Sequence, residues 1–514
     1  MMGSFSWAQE LPPLDPTQIA KIQDALIGQF MQREAKPVLK FVSDQTVPLY
    51  YSESVGKGVI RIDEALPALI AKNFGTKQEK VWAFLLAHEL VHHFFHHFQG
   101  ESANPASVLG FEEQADREGI FVAHLAGYRF DDTLFAQILE VLYKHYAQGF
   151  NPENYPSQEQ RVAQAGSLVR MIYEKRLDEV FHVGLFFYSL SEWRPARACL
   201  EFIYGQRYRN YLILNNLAAT YLQESLKVLD FKKKLFHLPI SFERKATLRD
   251  MEDFDVKEKM TQAADLLNEV IKINPYFEAA FLNLATLQLL EGRYQSIKET
   301  LLRYPGYQTQ FSAEANSLLG LALLYQDKLE EAKPIFRQLA DGGDRRGLFN
   351  WILLQKICPP GQTFLAALEA LNQASYKKME NEILAELSPP SPSNNEPIPF
   401  PGKMPELEKE IALSKEPDIF LELPDSAEGD FRGLVRFLAE DMEFECLLWE
   451  QTTQTNLADA NVRGLRLNDP VRKLVDYFGE PDNLSDNFYL YRKLQLVFEI
   501  DNGRVIGWTY YQYR

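Results

Sequence analysis

A mostly helical α+β chain is what this sequence predicts, and three observations carry that expectation. An HELVH pentapeptide at residues 88–92 lies inside an almost wholly apolar helix that follows a short strand. One register of small residues recurs through residues 178–375, as stacked helix pairs require. Beyond a proline-rich stretch the pattern turns to strands and ends in a hairpin signal. These readings divide the chain into a first domain at 15–175, a helical repeat domain at 176–387, a linker at 388–405 and a small α+β module at 406–514.

In the first domain the predicted helix runs from Lys77 to Phe98, with Val81, Phe84, Leu85, Leu86, Leu90, Val91 and Phe94 surrounding it in apolar surface. Polar groups are costly inside such a helix unless they have partners. His88 and His92 are four apart and therefore stack on one face. Two neutral imidazoles and a carboxylate form a catalytic ligand set for Zn2+, with a fourth position left for water. Glu89, between the histidines and not itself a ligand, can take a proton from that water. The third ligand is expected from a second helix, where Glu112 and Asp116 form an ExxxD pair pointing to one side. Glu112 then binds the metal, and Asp116 accepts the free ring N–H of a ligating histidine. Glu113 is the rival ligand, but it points about 100° away and has no acid four residues on. His96 continues the His88–His92 face by one turn; His93, His96 and His97 read as flanking groups. His124 reads as core.

HELVH followed by EEQADREGIFVAHLAGY resembles the HtpX/BepA/CAAX-protease type of zinc metallopeptidase, a branch of the gluzincins. The likeness spans roughly residues 35 to 170. It implies a gluzincin-type fold in which Gly58–Ile62 is the edge strand, leading through Asp63 to Leu69 into the HExxH helix. It also implies catalysis by His88, His92, Glu89 and Glu112. An edge strand beside the metal can hold an extended peptide by backbone pairing. Two departures stand out. The stretch from His92 to Glu112 is short, so the domain is expected to be compact, without an inserted lid or membrane hairpin. Where relatives carry His-Pro and then Arg, this chain has Tyr155-Pro156 and then Arg161. Arg161 matches the family arginine and can stabilise an oxyanion; Tyr155 either does the same through its hydroxyl or merely packs, and a histidine gate over the metal is put in doubt.

The helical domain shows the register of tetratricopeptide repeats, α-solenoids with a concave binding face. Gly184, Ala196 and Leu200 define the offsets; Ala285, Ile297 and Leu301 repeat them, as do Gly320, Ala332 and Phe336. A further unit is split, with Leu217, Ala218 and Tyr221 in its first helix and Ala263, Leu267 and Pro275 in or after its second. Residues 224–256 are then an insertion between them. Beyond the linker, Phe431, Leu434, Val435 and Leu438 keep helical spacing. Strands follow at Glu445–Thr452, Phe488–Arg492, Leu494–Ile500 and Val505–Tyr511, with Asp501-Asn502-Gly503 as the turn of the last hairpin. Val471–Phe478 reads as a short helix behind Pro470.

With 54 basic against 71 acidic residues the net charge is −17, which disfavours non-specific binding to nucleic acid or anionic lipid. No apolar run has the length of a transmembrane segment, so a soluble form is expected. Cys199, Cys358 and Cys446 form neither a metal pattern nor a disulfide framework. Ser4–Gln9 looks like the tail of a signal peptide, which points to the periplasm or export; the literal amino terminus reads as cytoplasmic.

Taken together, the chain reads as a zinc metalloendopeptidase for misfolded or unassembled protein clients, brought to it, or to a protein partner, by the repeats. A repeat-built scaffold or chaperone with latent peptidase activity is the alternative. A regulatory peptidase acting on one transcription factor is weaker, because the chain lacks a basic DNA-binding region.

Overall fold

The computed structural model describes residues 11–30, 35–43, 46–54, 57–97, 105–150, 155–175, 177–189, 193–233, 235–238 and 255–387, and parts of 429–513. It is mostly helical, and it divides into two compact units, Met1–His182 and Val183–Arg514. The signal-like residues 4–9 and the linker 388–405 lie outside the described residues. No described helix is long and apolar enough to cross a membrane.

The first unit opens with α1 (Pro16–Gln29), started by a capping box between Asp15 and Gln18 with Pro16 at its first position. Three strands follow: β1 (Val38–Val42), β2 (Leu49–Ser54) and β3 (Lys57–Asp63). Their order is β1-β3-β2, with β1 parallel and β2 antiparallel to β3. The Gly58–Ile62 stretch is therefore the central strand and not the edge expected from the sequence; β2 is the edge that packs on the motif helix. The physical reason is that β1 supplies a parallel partner for β3, and parallel pairing needs a distant segment that local patterning does not reveal. Nor does β3 lead straight into the motif helix, since α2 (Leu66–Phe74) intervenes.

The motif helix α3 spans Gln78–Phe94, shorter than the Lys77–Phe98 expected. Its end is a chain reversal: the His97 N–H donates to the His92 carbonyl, and His96 takes a φ of 51°. Apolar residues continued past that point, so periodicity alone overran the boundary. Trp82, Phe84 and Phe94 on α3 are fully buried, and α3 is covered by α1, β2 and α4 (Pro105–Leu125). Helices α5 (Asp132–His145) and α6 (Gln158–Lys175) complete the wall, and the Tyr146 hydroxyl ties the end of α5 to Asp63 at 2.8 Å.

The second unit is a run of helices, α8 (Trp193–Gly205), α9 (Tyr211–Val228), α10 (Val256–Ile273), α11 (Glu278–Leu290), α12 (Tyr294–Leu302), α13 (Ala313–Tyr325), α14 (Leu329–Asp341), α15 (Arg345–Ile357), α16 (Phe364–Ala370) and α17 (Gln373–Leu387); neighbours in sequence pack together from α8 to α16, and α17 packs on α15. Alternate helices also touch, α9 with α11 and α11 with α13. The register residues meet across these pairs. A Cβ on Gly320 would come within 2.9 Å of the Phe336 ring, so only glycine lets α13 approach α14 so closely. Gly184, on α7 (Leu177–Ser189), sits likewise against Cys199 and Leu200. The two helices read as a split unit are α9 and α10, which pack together, but α9 continues to Val228, so the stretch between them starts later than residue 224.

Strands β4 (Gly429–Asp430), β5 (Leu434–Ala439), β6 (Met442–Thr452), β7 (Phe488–Tyr491), β8 (Leu496–Asp501) and β9 (Arg504–Tyr513) form a sheet ordered β4-β5-β6-β9-β8-β7. Leu434–Ala439 is thus a strand, against the helical spacing read for Phe431 to Leu438. Four apolar residues in eight positions fit either period, and pairing of Ala439 with Met442 closes a hairpin that decides it. The final hairpin is as expected, with Asp501 opposite Arg504 and Gly503 at a φ of 70°. Helix α18 (Val471–Phe478) follows Pro470 and stops at Gly479, whose φ is 77°.

His124 lies in the core as expected, accepting the Phe130 N–H on Nε2 at 3.4 Å. Burial, reinforced by the Arg129 charge, pushes its pKa down to about 3. An unfolded histidine takes its proton near 6.5, so the unfolded state binds more protons throughout the interval between. Stability should therefore fall as pH drops through that interval, by up to about 1.4 kcal/mol per pH unit for this one site. We expect His124→Phe to flatten the dependence by about one proton in denaturant titrations run between about pH 4 and 7.

Candidate metal centre

The close crossing of α3 and α4 builds this site. A Cβ on Gly119 would lie 3.0 Å from the His88 backbone nitrogen, so glycine there lets the two helix backbones meet beside the first motif histidine. One and two turns before Gly119 on α4, Asp116 and Glu112 then face α3. Both are buried, as are His88, Glu89 and His92.

His88 Nε2 lies 3.2 Å from His92 Nε2 and 3.2 Å from Glu112 Oε2, and His92 Nε2 lies 3.4 Å from Glu112 Oε1. Bonds of about 2.0–2.1 Å in a tetrahedral shell would separate donors by roughly 3.3–3.4 Å, so the triangle has the size of one face of such a shell. The buried triad can hold a metal ion. Glu113, the rival acid, is exposed and accepts from Gln164 at 2.9 Å, away from the histidines.

The ring nitrogens turned away from the triangle are also engaged. His88 Nδ1 bonds Asp116 Oδ1 at 2.9 Å, which leaves Nε2 to face the donors. The Arg161 guanidinium in turn grips both oxygens of Asp116, its Nε donating to Oδ2 at 2.8 Å. Arg161, Asp116 and His88 thus form a continuous chain. His92 Nδ1 lies 2.9 Å from His97 Nδ1, while His97 Nε2 donates to Gln114 Oε1 at 3.2 Å and the ring stacks on Phe111. Sequence reading placed His97 among flanking groups; its contact with His92 depends on the chain reversal after Phe94, which no periodicity encodes. His93 is bound elsewhere, to the Tyr51 hydroxyl and the Ala35 carbonyl.

Electrostatics follow from burial among these charges. Burial pulls the His88 pKa down, but Asp116 and Glu112 outweigh it and raise it to about 10. Burial works the other way on Glu112, yet His92 and His88 hold its carboxyl well below the usual carboxylate range. Asp116 is held down likewise by Arg161 and His88. A proton on His88 therefore fills the role that a cation would take over, and metal uptake must release it. Glu89 differs. Burial dominates and pushes its carboxyl up against the pull of both histidines.

The site opens on a cavity of about 490 Å³ whose wall includes Leu49, Tyr51, Leu142, Phe150, Tyr155 and Arg161. The Tyr51 N–H donates to Glu89 Oε2 at 2.6 Å, so the outward edge of β2 faces the motif. Tyr155 packs edge-on against Phe150. Its phenol is pushed up by burial and by the charges of Glu112 and Glu89, and so stays protonated. All seven site residues expected from the sequence surround this one cavity or touch its lining. No protein-family model matches the chain, and no curated protein matches it.

We expect the protein to bind one divalent metal ion per chain in equilibrium dialysis, and His88→Ala to remove that binding. His97→Ala, which leaves all three donors in place, should weaken affinity by about 10–100-fold. Gly119→Leu should abolish binding without touching a ligand, because the helices can no longer meet. Full affinity in Gly119→Leu would refute the role given to the crossing.

Proposed function

We propose that this chain is a zinc-dependent endopeptidase of the gluzincin type acting on protein clients, such as misfolded or unassembled proteins, which its tetratricopeptide-like array recruits. The observation that carries this reading is the His88–His92–Glu112 triangle with Glu89 beside it, set under a cavity and against the outward edge of β2. Such a ligand set with an open position suits zinc, which when bound supplies Lewis acidity to the scissile carbonyl and the attacking water.

The chain's own residues carry the remaining work. Glu89, whose raised pKa suits a general base, accepts the proton of the attacking water and returns it to the leaving amine. Tyr155, a protonated phenol on the cavity wall, donates to the oxyanion as it develops. Arg161 adds positive charge at the wall and fixes Asp116, which keeps His88 in the tautomer that presents Nε2. An extended client lies along β2, where alternate backbone groups point outward: the Pro48 carbonyl turns inward to the Asp63 N–H, whereas the Tyr51 N–H turns to Glu89.

One contact favours a second reading, a scaffold or chaperone with latent activity. With the Tyr51 N–H bound, the Glu89 carboxylate already has a partner and must exchange it before it can act.

Mass spectrometry of an unfolded protein incubated with zinc-loaded enzyme distinguishes the two. We expect discrete internal cleavages by the wild type and none by Glu89→Gln, with equal zinc content in both. Tyr155→Phe should lower kcat by about 10²–10³-fold, in the range of a lost oxyanion donor. Client binding with no cleavage by the fully loaded wild type would leave the scaffold reading standing.

A further inference from the structure

Within the second unit, the chain that leaves α9 does not turn directly into α10. Residues 230–233 and 235–238 instead cross later helices of the run. The Lys233 ammonium donates to the Leu290 carbonyl at the end of α11, and the Tyr325 hydroxyl of α13 donates to the Lys232 carbonyl at 2.7 Å. Further on, the Tyr376 hydroxyl of α17 donates to the Leu235 carbonyl at 3.0 Å. Asn350 of α15 then takes both backbone groups of one residue, accepting the His237 N–H at 2.8 Å and donating to the His237 carbonyl at 3.1 Å.

Side chains alternate with these backbone contacts. Leu235, Phe236 and Leu238 are buried, with Phe236 between Phe336 and Phe364. The His237 ring stacks on Phe349 with 3.8 Å between centroids.

Buried backbone is normally satisfied by helix or sheet ladders. Residues 235–238 belong to neither, and side chains of two separate helices, Asn350 of α15 and Tyr376 of α17, hold their peptide groups. Every polypeptide offers such groups when it is unfolded. Capture of backbone by fixed polar side chains, with apolar pockets between them, is how a receptor binds a peptide in trans.

We propose that the face formed by α13 to α17 is a receptor for extended polypeptide, that residues 232–238 are its resident ligand, and that unfolded client segments of Leu-Phe-His-Leu character bind there by displacing it. The tether gives the resident segment an effective concentration on the order of millimolar, so it masks the face from weak competitors and yields to strong or multivalent ones. The backbone clamp makes recognition tolerant of sequence, while the Phe336–Phe364 pocket selects a large apolar residue. The proposal concerns the second unit alone, and its tests read neither metal nor cleavage.

A fluorescent peptide copying residues 230–238 (DFKKKLFHL) tests it by anisotropy with the full-length protein. Phe236→Ala, which loosens the resident segment, should bind the peptide at least about tenfold more tightly than wild type, and adding Asn350→Ala should cancel that gain. Equal binding by wild type and Phe236→Ala would overturn the proposal. Hydrogen exchange on the wild type decides the matter even if that variant fails to fold. The His237 amide should exchange ahead of the amides of α13 and α15, and faster still with saturating peptide. Exchange of His237 only together with those helices would show a fixed structural strand and end the proposal.

Discussion

Burial of charge between two helices is the constraint on which the amino-terminal unit rests. Helices α3 and α4 meet closely at Gly119, and into that contact the sequence places three carboxylates and two imidazoles. Isolated, each ionised group would be costly there. Together they form a closed set: Arg161 neutralises Asp116, Asp116 orients His88, and Glu112 sits between the two motif histidines. A set of this kind gives specificity of arrangement more readily than net stability, because removal of any one member leaves another buried and unmatched. The same closure explains why α3 is apolar on almost every side. From Val81 to Phe94 every residue of the helix is buried, and the polar side chains there, His88, Glu89, His92 and His93, all have partners.

How much of this was legible in the sequence depends on whether the signal was local. His88, Glu89 and His92 lie within five residues, and helical spacing alone puts the two histidines on one face. Glu112 was separable from Glu113 because Asp116 follows it by one turn. The His97 contact was not legible, since it needs a reversal at His96 that breaks the helical period. The edge strand was misplaced for a comparable reason: β3 is flanked by β1 through a parallel pairing that no adjacent turn announces. Arg161 was legible as a site residue by position, but its grip on Asp116 is a matter of tertiary geometry.

The helical array shows the same division. Small residues such as Gly184 and Gly320 mark close helix contacts and can be read from spacing. The inserted stretch was legible as an interruption, but the course of residues 230–238 was not. Its contacts span sequence separations of 57 to 141 residues, from Lys233 with Leu290 to Tyr376 with Leu235. In the strand-rich part, Leu434–Ala439 carried an ambiguous apolar spacing that pairing with β6 resolved.

The donor triangle spans less sequence than the contacts that brace it from β2 and from α6. His88 and Glu112 are 24 residues apart, whereas Tyr51 and Glu89 are separated by 38 and Asp116 and Arg161 by 45. Closing the shorter loop loses less chain entropy, by about half a kcal/mol, and requires only one helical hairpin. A nascent chain can therefore assemble its three donors while the carboxy-terminal half is still being synthesised. An ion captured at that stage would act as a nucleus on which α6 then docks, and metal supply would bear on the yield of folded protein.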